Sequence, residues 1–247
     1  MMIIYIIVLW LATVVAAMDF GSAKFPGYGS NPAQSLGDSE RARFGIAYAQ
    51  VPEADLQLTG AGGEFGVGLS RVAFSSFYTQ MDSLYRQVYS EVDFSVKYSW
   101  LIGGAGYGVS VDWVPGGEDT PGESWTMNRY KAGLALLKEP FSLSGMATVV
   151  NHASYYHVDY TAGLQFDGER FGAFVEYDGN SLDVGNYLKF AHLSVITSYR
   201  FPEFAVAVSM TFTVGSWSLS GAYGKAYPIW DWFSITAFNT IRKKTIL

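Results

Sequence analysis

The chain reads EVDFSVKYSW from Glu91 to Trp100. Apolar side chains take every second position of this stretch, beginning at Val92, and polar side chains take the positions between them. Because successive side chains of a strand point to opposite faces, the alternation predicts a β-strand with one apolar and one polar face. The stretch alone does not say which face meets water, and the rest of the sequence decides that question.

Composition limits the class of protein. The 247 residues include 49% apolar and 17% aromatic but only 15% charged side chains, whereas a soluble domain carries about 25% charged residues. With a formal net charge of −6, the chain lacks the basic patch that neutralises phosphates, so we predict no nucleic-acid partner. The absence of cysteine excludes thiolate metal sites and disulfides.

The beginning of the chain predicts export. An unbroken apolar run extends from Ile3 to Ala17, which is too short for a comfortable helical span of a bilayer. Val15 and Ala17 stand at the small-residue positions before a cleavage point, so we predict a signal peptide over residues 1–17. An uncleaved anchor or a buried strand pair is the alternative interpretation.

Residues 18–41 lack periodicity and predict an irregular segment, whereas from position 42 to 247 the period is two nearly everywhere. No segment shows the spacing of an amphipathic helix with a capping box. We therefore predict an all-β domain of about 12 strands, within a range of 10–14. Longer connections are expected at four places: Ser75–Val88, Pro115–Ser124, Asp178–Asn186 and Ala226–Asp231.

Two features of the strands indicate which face is lipid-facing. The polar face is dominated by small residues such as Gly104, Gly106 and Ser110, which suit a crowded interior better than a solvated surface. The apolar face ends in aromatic residues, which is typical of the girdles of a membrane barrel; they are Tyr98, Trp100, Tyr107, Trp113, Trp125, Tyr156, Trp217, Tyr223, Trp230 and Trp232. We therefore predict a transmembrane antiparallel up-and-down β-barrel over residues 42–247, in the bacterial outer membrane with lipid as its partner. A soluble, secreted lipocalin-like barrel is the alternative.

The opposite face predicts which residues line the lumen: Glu91, Asp93, Lys97, Asp112, His157 and Asp159. We expect them to set the polarity of the pore. The first four are placed to form a cross-strand ladder with Arg129 and Lys131, for which simple filling of a small barrel by paired polar residues is the favoured interpretation over a selectivity site. His157 and Asp159 share one face at a spacing that permits a His–carboxylate pair. Without a nucleophile signature or clustered metal ligands, we predict no enzymatic activity, no metal and no cofactor.

The N-terminal part resembles a known group. Asn31-Pro32-Ala33, with Leu36 shortly after and the strand RFGIAYA beginning at Arg43, is similar to the "NPA…L" element and first strand of FadL-like and PorV/PorQ-type outer-membrane barrels. The resemblance implies that Asn31, Pro32 and Ala33 belong to a plug within or under the barrel. It also implies either passage of a small hydrophobic solute or a shuttle and anchoring role in protein secretion, and the sequence leaves both open.

Overall fold

The computed structural model describes residues 31–33, 40–82, 84–116, 121–152, 155–202, 204–226 and 230–242. The predicted signal peptide and most of the predicted irregular segment lie outside these ranges. Within them, no helix is long and apolar enough to cross a membrane. One 3-10 turn, Pro52–Ala54, connects the first two strands. The strands are β1 (Glu40–Val51), β2 (Leu56–Val67), β3 (Ser70–Met81), β4 (Tyr85–Tyr98), β5 (Leu101–Val114), β6 (Glu123–Lys138), β7 (Phe141–His152), β8 (Tyr155–Asp167), β9 (Phe171–Tyr177), β10 (Leu182–Lys189), β11 (Leu193–Phe201), β12 (Ala205–Val214), β13 (Trp217–Ala226) and β14 (Trp230–Arg242).

The strands form one closed antiparallel barrel, in which each strand pairs with the next along the chain. β14 completes the circle by pairing with β1, where Phe238 lies opposite Gly45. Closure removes the sheet edges that so many strands would otherwise expose. The predicted up-and-down barrel is confirmed, and its 14 strands are the upper limit of the predicted range.

Two predicted loops are largely strand. Residues 75–81 belong to β3 and 182–186 to β10. The alternating pattern from Tyr187 to Phe201 predicts one strand, but these residues belong to β10 and β11. The turn at 190–192 separates the two strands, and the Phe190 N–H donates to Leu193 O at 2.7 Å. This turn, Phe190-Ala191-His192, contains neither glycine nor proline, so it lacks the residues that usually mark a hairpin turn in a sequence.

The faces of the strands are arranged as the sequence predicted. Val92 and Phe94 are 54% and 49% exposed on the outside, whereas Glu91 and Asp93 are 2% and 0% exposed inside the barrel. The structure places two of the predicted girdle residues on the inner face instead of the outer face. Trp232 is only 3% exposed and packs inside against Val51 and Leu56, and Trp125 has the inward parity of its strand. In both strands an aromatic residue occupies an inward position. The sequence pattern does not reveal this, because tryptophan is compatible with either face of the barrel.

The two ends of the barrel differ. We call the end where β1 begins and β14 finishes the lower rim, and the opposite end the upper rim. Turns at the lower rim have two or three residues, for example 99–100 and 215–216, whereas the connection at 115–122 on the upper rim is longer. Short turns at the end where the first strand begins and the last strand finishes are typical of the periplasmic side of a membrane barrel.

Candidate functional site

A buried charge cluster spans three strands inside the barrel. Glu91 and Asp93 of β4 both interact with Lys131 of β6, whose Nζ lies 3.4 Å from Asp93 Oδ1 and forms a second ion pair with Glu91. The intervening strand β5 places Gly106 and Gly108 directly opposite these two carboxylates. Because glycine has no side chain, the lysine can cross β5 above its backbone. The predicted ladder is therefore present at Lys131, and all three side chains are buried.

Asp112 is held by a different set of partners. Its carboxylate accepts hydrogen bonds from Gln87 Nε2 at 2.7 Å, from Ser110 Oγ at 3.1 Å and from the Tyr85 hydroxyl. Three donors satisfy a buried carboxylate without a neighbouring cation. Asp112 therefore belongs to the packing of the upper end of β4 and β5 rather than to the predicted ladder.

The remaining predicted ladder residues lie apart from Lys131. The Arg129 guanidinium lies over the Tyr89 ring, 5.1 Å from its centroid, in a cation–π arrangement. Lys97 lies half-buried near the lower rim, opposite Ile102. Lys131 is thus the member of the predicted ladder that pairs with the two acids, whereas Arg129 stacks on Tyr89 and Lys97 lies nearer the lower rim.

Sequence reasoning missed two further charge networks. Glu64 of β2 binds Arg43 of β1 at 2.6 Å and also pairs with Arg71 of β3. On the other side of the barrel, Arg200 of β11 makes two hydrogen bonds to Asp183 of β10, at 2.7 and 2.8 Å. A charged residue at an inward position is the only sequence signal for these pairs, and it does not identify the partner.

His157 and Asp159 lie on the inner face of β8, where His157 Nε2 is 2.6 Å from Asp159 Oδ1. Unlike the buried acids, their side chains are 62% and 44% exposed. The predicted pair is present in geometry, and it faces open space inside the upper end of the barrel. Among the residues that the structure describes, no group of three or more His, Cys, Asp or Glu is arranged to hold a metal ion.

The lumen is filled unevenly. Inward side chains of β3, such as Ser75 and Phe77, are buried, but those of β7, and those of β8 from His157 to Asp167, are half-buried or exposed. Register identifies this inner face, since Lys131 lies opposite Thr148 and Thr148 lies opposite Asp159. We call this surface the β7–β8 lane; it consists of Ser144, Met146, Thr148, Val150, His157, Asp159, Thr161 and Gln165. On β7, hydroxyl groups alternate with a thioether and an alkyl group, whereas β8 contributes an imidazole, a carboxylate, a hydroxyl and an amide group.

Asn31, Pro32 and Ala33 lie against the inner wall near the lower end of β5–β7. Asn31 Nδ2 donates to Gly145 O at 3.0 Å, and the Ala33 N–H donates to Asn31 Oδ1 at 2.9 Å. Ala33 is fully buried and packs with Ile102. This placement agrees with the position that the resemblance implies, while a plug function stays a prediction.

Gly104 is the contact point for this segment. A Cβ at Gly104 would collide with the backbone of Pro32 and lie 2.7 Å from Ala33 N, and backbone cannot rotate away as a side chain can. We expect Gly104→Ala to push residues 31–33 off the wall. In an Ala33→Cys background, labelling by a maleimide should then accelerate by at least about fivefold as the buried site opens more often.

The matched control is Gly103→Ala, the next residue, whose Cβ would face outward with Leu134 Cδ2 at 3.9 Å as its nearest neighbour. This variant should leave the labelling rate unchanged. Equal rates for the two glycine variants would contradict the assigned contact between Gly104 and the segment.

Comparison with solved structures identifies the fold. The Pseudomonas putida toluene transporter TodX matches over 90% of this chain and 96% of its own, with 9% identity and a TM-score of 0.62. The TodX deltaS2S3 mutant matches over 92% and 98%, with 11% identity and a TM-score of 0.60. The Acinetobacter baumannii outer membrane protein Omp33 matches over 83% and 100%, with 12% identity and a TM-score of 0.54.

No protein-family model matches the chain, and no curated protein sequence matches it. At these identities the structural likeness establishes the architecture alone. The chain is a closed, 14-stranded β-barrel of the kind that solved outer-membrane proteins adopt.

Proposed function

We propose that the protein is an outer-membrane channel that passes small, partly apolar solutes along the β7–β8 lane. The observation that carries this proposal is the uneven lumen: inner side chains of β3 and β4 are mostly buried, whereas those of β7, and those of β8 from His157 to Asp167, are half-buried or exposed. A continuous accessible surface inside a closed barrel is the physical requirement for passage.

The lining favours solutes that are neither ionic nor purely hydrophobic. Met146 and Val150 offer apolar contact, and Thr148 and Thr161 offer hydroxyl groups that hydrogen-bond. The acids Glu91 and Asp93 share Lys131 and are buried with it, so they are not part of the accessible surface of the lane. Within the lane, we assign the setting of polarity to His157 and Asp159 at its upper end.

Blocking the lane tests the proposal. Proteoliposomes should swell in phenyl glucoside and in glucose, and Thr161→Trp should reduce both rates by at least about fivefold, because a bulky ring narrows a pore lined by side chains. Swelling rate and single-channel conductance in KCl are the measurements.

Leu164→Trp is the control for this substitution, since Leu164 lies on the same strand but faces outward. It should leave swelling unchanged. If Thr161→Trp conducts like the unmodified protein, the lane is not the route.

Two likenesses support the chemical class of the solute. The N-terminal residues resemble FadL-like barrels, which implies a small hydrophobic solute, and the fold is similar to that of a toluene transporter. We extend both to this chain as a proposal, with the bacterial outer membrane as its location and lipid around its apolar face.

A separate observation supports a second candidate function. The packed inner face of β1–β6 and the segment 31–33 against the wall suit a filled barrel that anchors envelope partners, which is the other role implied by the PorV/PorQ resemblance. Complete absence of conductance and swelling in the unmodified protein would favour this anchor over the channel.

A further inference from the structure

A polar side chain lies on the outer face of the barrel, in the middle of the strand β10. Asn186 is exposed there, four residues from Leu182 above it and four from Phe190 at the turn below it. Its amide has no hydrogen-bond partner among the residues that the structure describes. An amide in hydrocarbon without a partner is strongly unfavourable, so this position favours a neighbour that can both donate and accept hydrogen bonds.

Other outward amides have such a neighbour on their own barrel. Tyrosine hydroxyls donate to Gln80 Oε1 at 3.1 Å and to Asn128 Oδ1 at 2.7 Å. Asn239 Nδ2 donates to a serine hydroxyl of the adjacent turn at 3.1 Å. Asn186 therefore differs from these residues in what surrounds it rather than in its chemistry.

The surface around Asn186 is low and lies between aromatic rings. Its cross-strand row contains Ala173 on one side and Thr197 and Val208 on the other. Phe166 of β8 and Tyr223 of β13 flank this row. We call the surface the β9–β12 face; it consists of Ala173, Val175, Val184, Asn186, Thr197 and Val208. Small side chains allow two membrane proteins to approach each other closely.

The strands of this face are also short. β9, β10 and β11 have 7, 8 and 9 residues. From Leu182 to Phe190, a rise of about 3.3 Å per residue and a tilt of about 45° give a height of about 19 Å, whereas the apolar band of a membrane barrel is about 25 Å tall. Such a mismatch is relieved by a thinner bilayer or by association with another protein.

The width of the face suits a second barrel. β9 to β12 have 7 to 10 residues, and with strands about 4.8 Å apart the face measures roughly 19 by 26 Å, or about 500 Å². Two such faces bury about 1,000 Å² together, which reaches the lower limit of a specific interface. A single helix, about 10–12 Å wide, covers only about half of this width.

The amide itself selects a second copy as the partner. A carboxamide donates through Nδ2 and accepts through Oδ1, so two amides that face each other satisfy both groups at once. In a two-fold interface the same surface of both copies meets, and a residue on the axis meets its own counterpart. With the axis along the membrane normal, Asn186 at the centre of the face occupies that position.

We propose that two copies of this chain associate in the membrane through the β9–β12 face, with their Asn186 amides joined by reciprocal hydrogen bonds. The contact removes both short walls from the lipid and gives each amide its donor and its acceptor. The inference rests on the placement of the apolar face in lipid. It goes beyond the proposed channel, because it holds whether or not the lumen conducts.

Contact between copies is tested by cross-linking. Since the chain has no cysteine, Val184→Cys places one thiol on the face, and Val92→Cys places one on the outward surface of β4, across the barrel. In proteoliposomes with a large excess of lipid, a bifunctional maleimide should cross-link Val184→Cys into a dimer at least about fivefold faster than Val92→Cys, because specific contact raises the effective concentration. Equal rates for the two variants overturn the proposal.

The role of the amide is tested by Asn186→Leu, which keeps the size of the side chain but removes both hydrogen-bonding groups. Energy transfer between copies labelled at Glu169→Cys, an exposed residue of a lower turn, measures the dimer dissociation constant in vesicles. This constant should rise at least about fivefold in Asn186→Leu. Asn128→Leu is the control, since that amide is already bonded to Tyr107, and it should leave the constant unchanged. An unchanged constant in Asn186→Leu overturns the proposal.

Swelling in glucose distinguishes this proposal from the channel. Normal swelling by a protein that stays monomeric at every density in the membrane overturns the association and leaves the channel intact. A dimer that depends on Asn186 but gives no swelling overturns the channel alone. If Asn186→Leu does not fold, as judged by loss of heat-modifiable migration, cross-linking of Val184→Cys and Val92→Cys decides.

Discussion

Replacing Lys131 with methionine should destabilise the barrel by about 3–5 kcal/mol, the usual effect of removing one partner from a buried ion pair. Lys131 is the cation shared by Glu91 and Asp93, and all three side chains are buried. Its loss removes the cation that both carboxylates share in the interior and leaves Arg71 as the remaining cation that interacts with Asp93. Urea unfolding in lipid vesicles, followed by tryptophan fluorescence and heat-modifiable migration, measures the change.

Two further variants distinguish the effect of losing the Lys131 charge from the effect of losing its packing. Lys138→Met removes an exposed lysine at the lower rim and should change stability by less than about 0.5 kcal/mol. Adding Glu91→Gln and Asp93→Asn to Lys131→Met should recover most of the loss, since a neutral set carries no unpaired charge. If the triple variant is as unstable as Lys131→Met alone, packing of the lysine stem rather than charge holds this cluster together.

A single methyl group at Gly60 is the second substitution with a large expected effect. Gly60 lies directly opposite Phe77, and a Cβ there would fall within the space of the buried phenyl ring. We expect Gly60→Ala to cost about 1–3 kcal/mol, because a packed interior must shift to accept the extra group. The same unfolding measurement applies.

The control for Gly60→Ala is Gly221→Ala, whose Cβ would face outward with Ser234 O at 4.0 Å as its nearest neighbour. It should be neutral within about 0.5 kcal/mol. Combining Gly60→Ala with Phe77→Ala should cost less than the sum of the single changes, since the collision disappears with the ring. Strict additivity would show that Gly60 and Phe77 do not interact.

The contact between Gly60 and Phe77 is one example of a repeated device. Inward aromatic rings also lie over glycines of neighbouring strands in other pairs: Phe238 over Gly45, Tyr187 over Gly172, Phe174 over Gly185 and Trp232 over Gly224. Ring and glycine complement each other in volume, which fills the interior and defines the register between strands. In the sequence these glycines read only as small residues on the polar face.

Much of the fold was predictable because strand alternation is local. The pattern from Glu91 to Trp100 correctly separated the buried acids from the exposed Val92 and Phe94, and small residues on one face correctly indicated a crowded lumen. Each of these inferences depends on neighbours two positions apart in the chain. The N-terminal resemblance to barrels with a plug stays a prediction, with Asn31, Pro32 and Ala33 against the inner wall.

The partners of the charged residues, the number of strands and the register between strands were decided by the tertiary structure. Lys131 meets Glu91 and Asp93 across β5, and Ala162, rather than a residue nearer Tyr155, lies opposite Tyr177 at the upper end of the pairing between β8 and β9. Moving a strand by two residues would preserve every inward and outward side chain but change every partner. Alternation therefore determines faces, whereas register depends on cross-strand packing and closure between residues that are distant in the sequence.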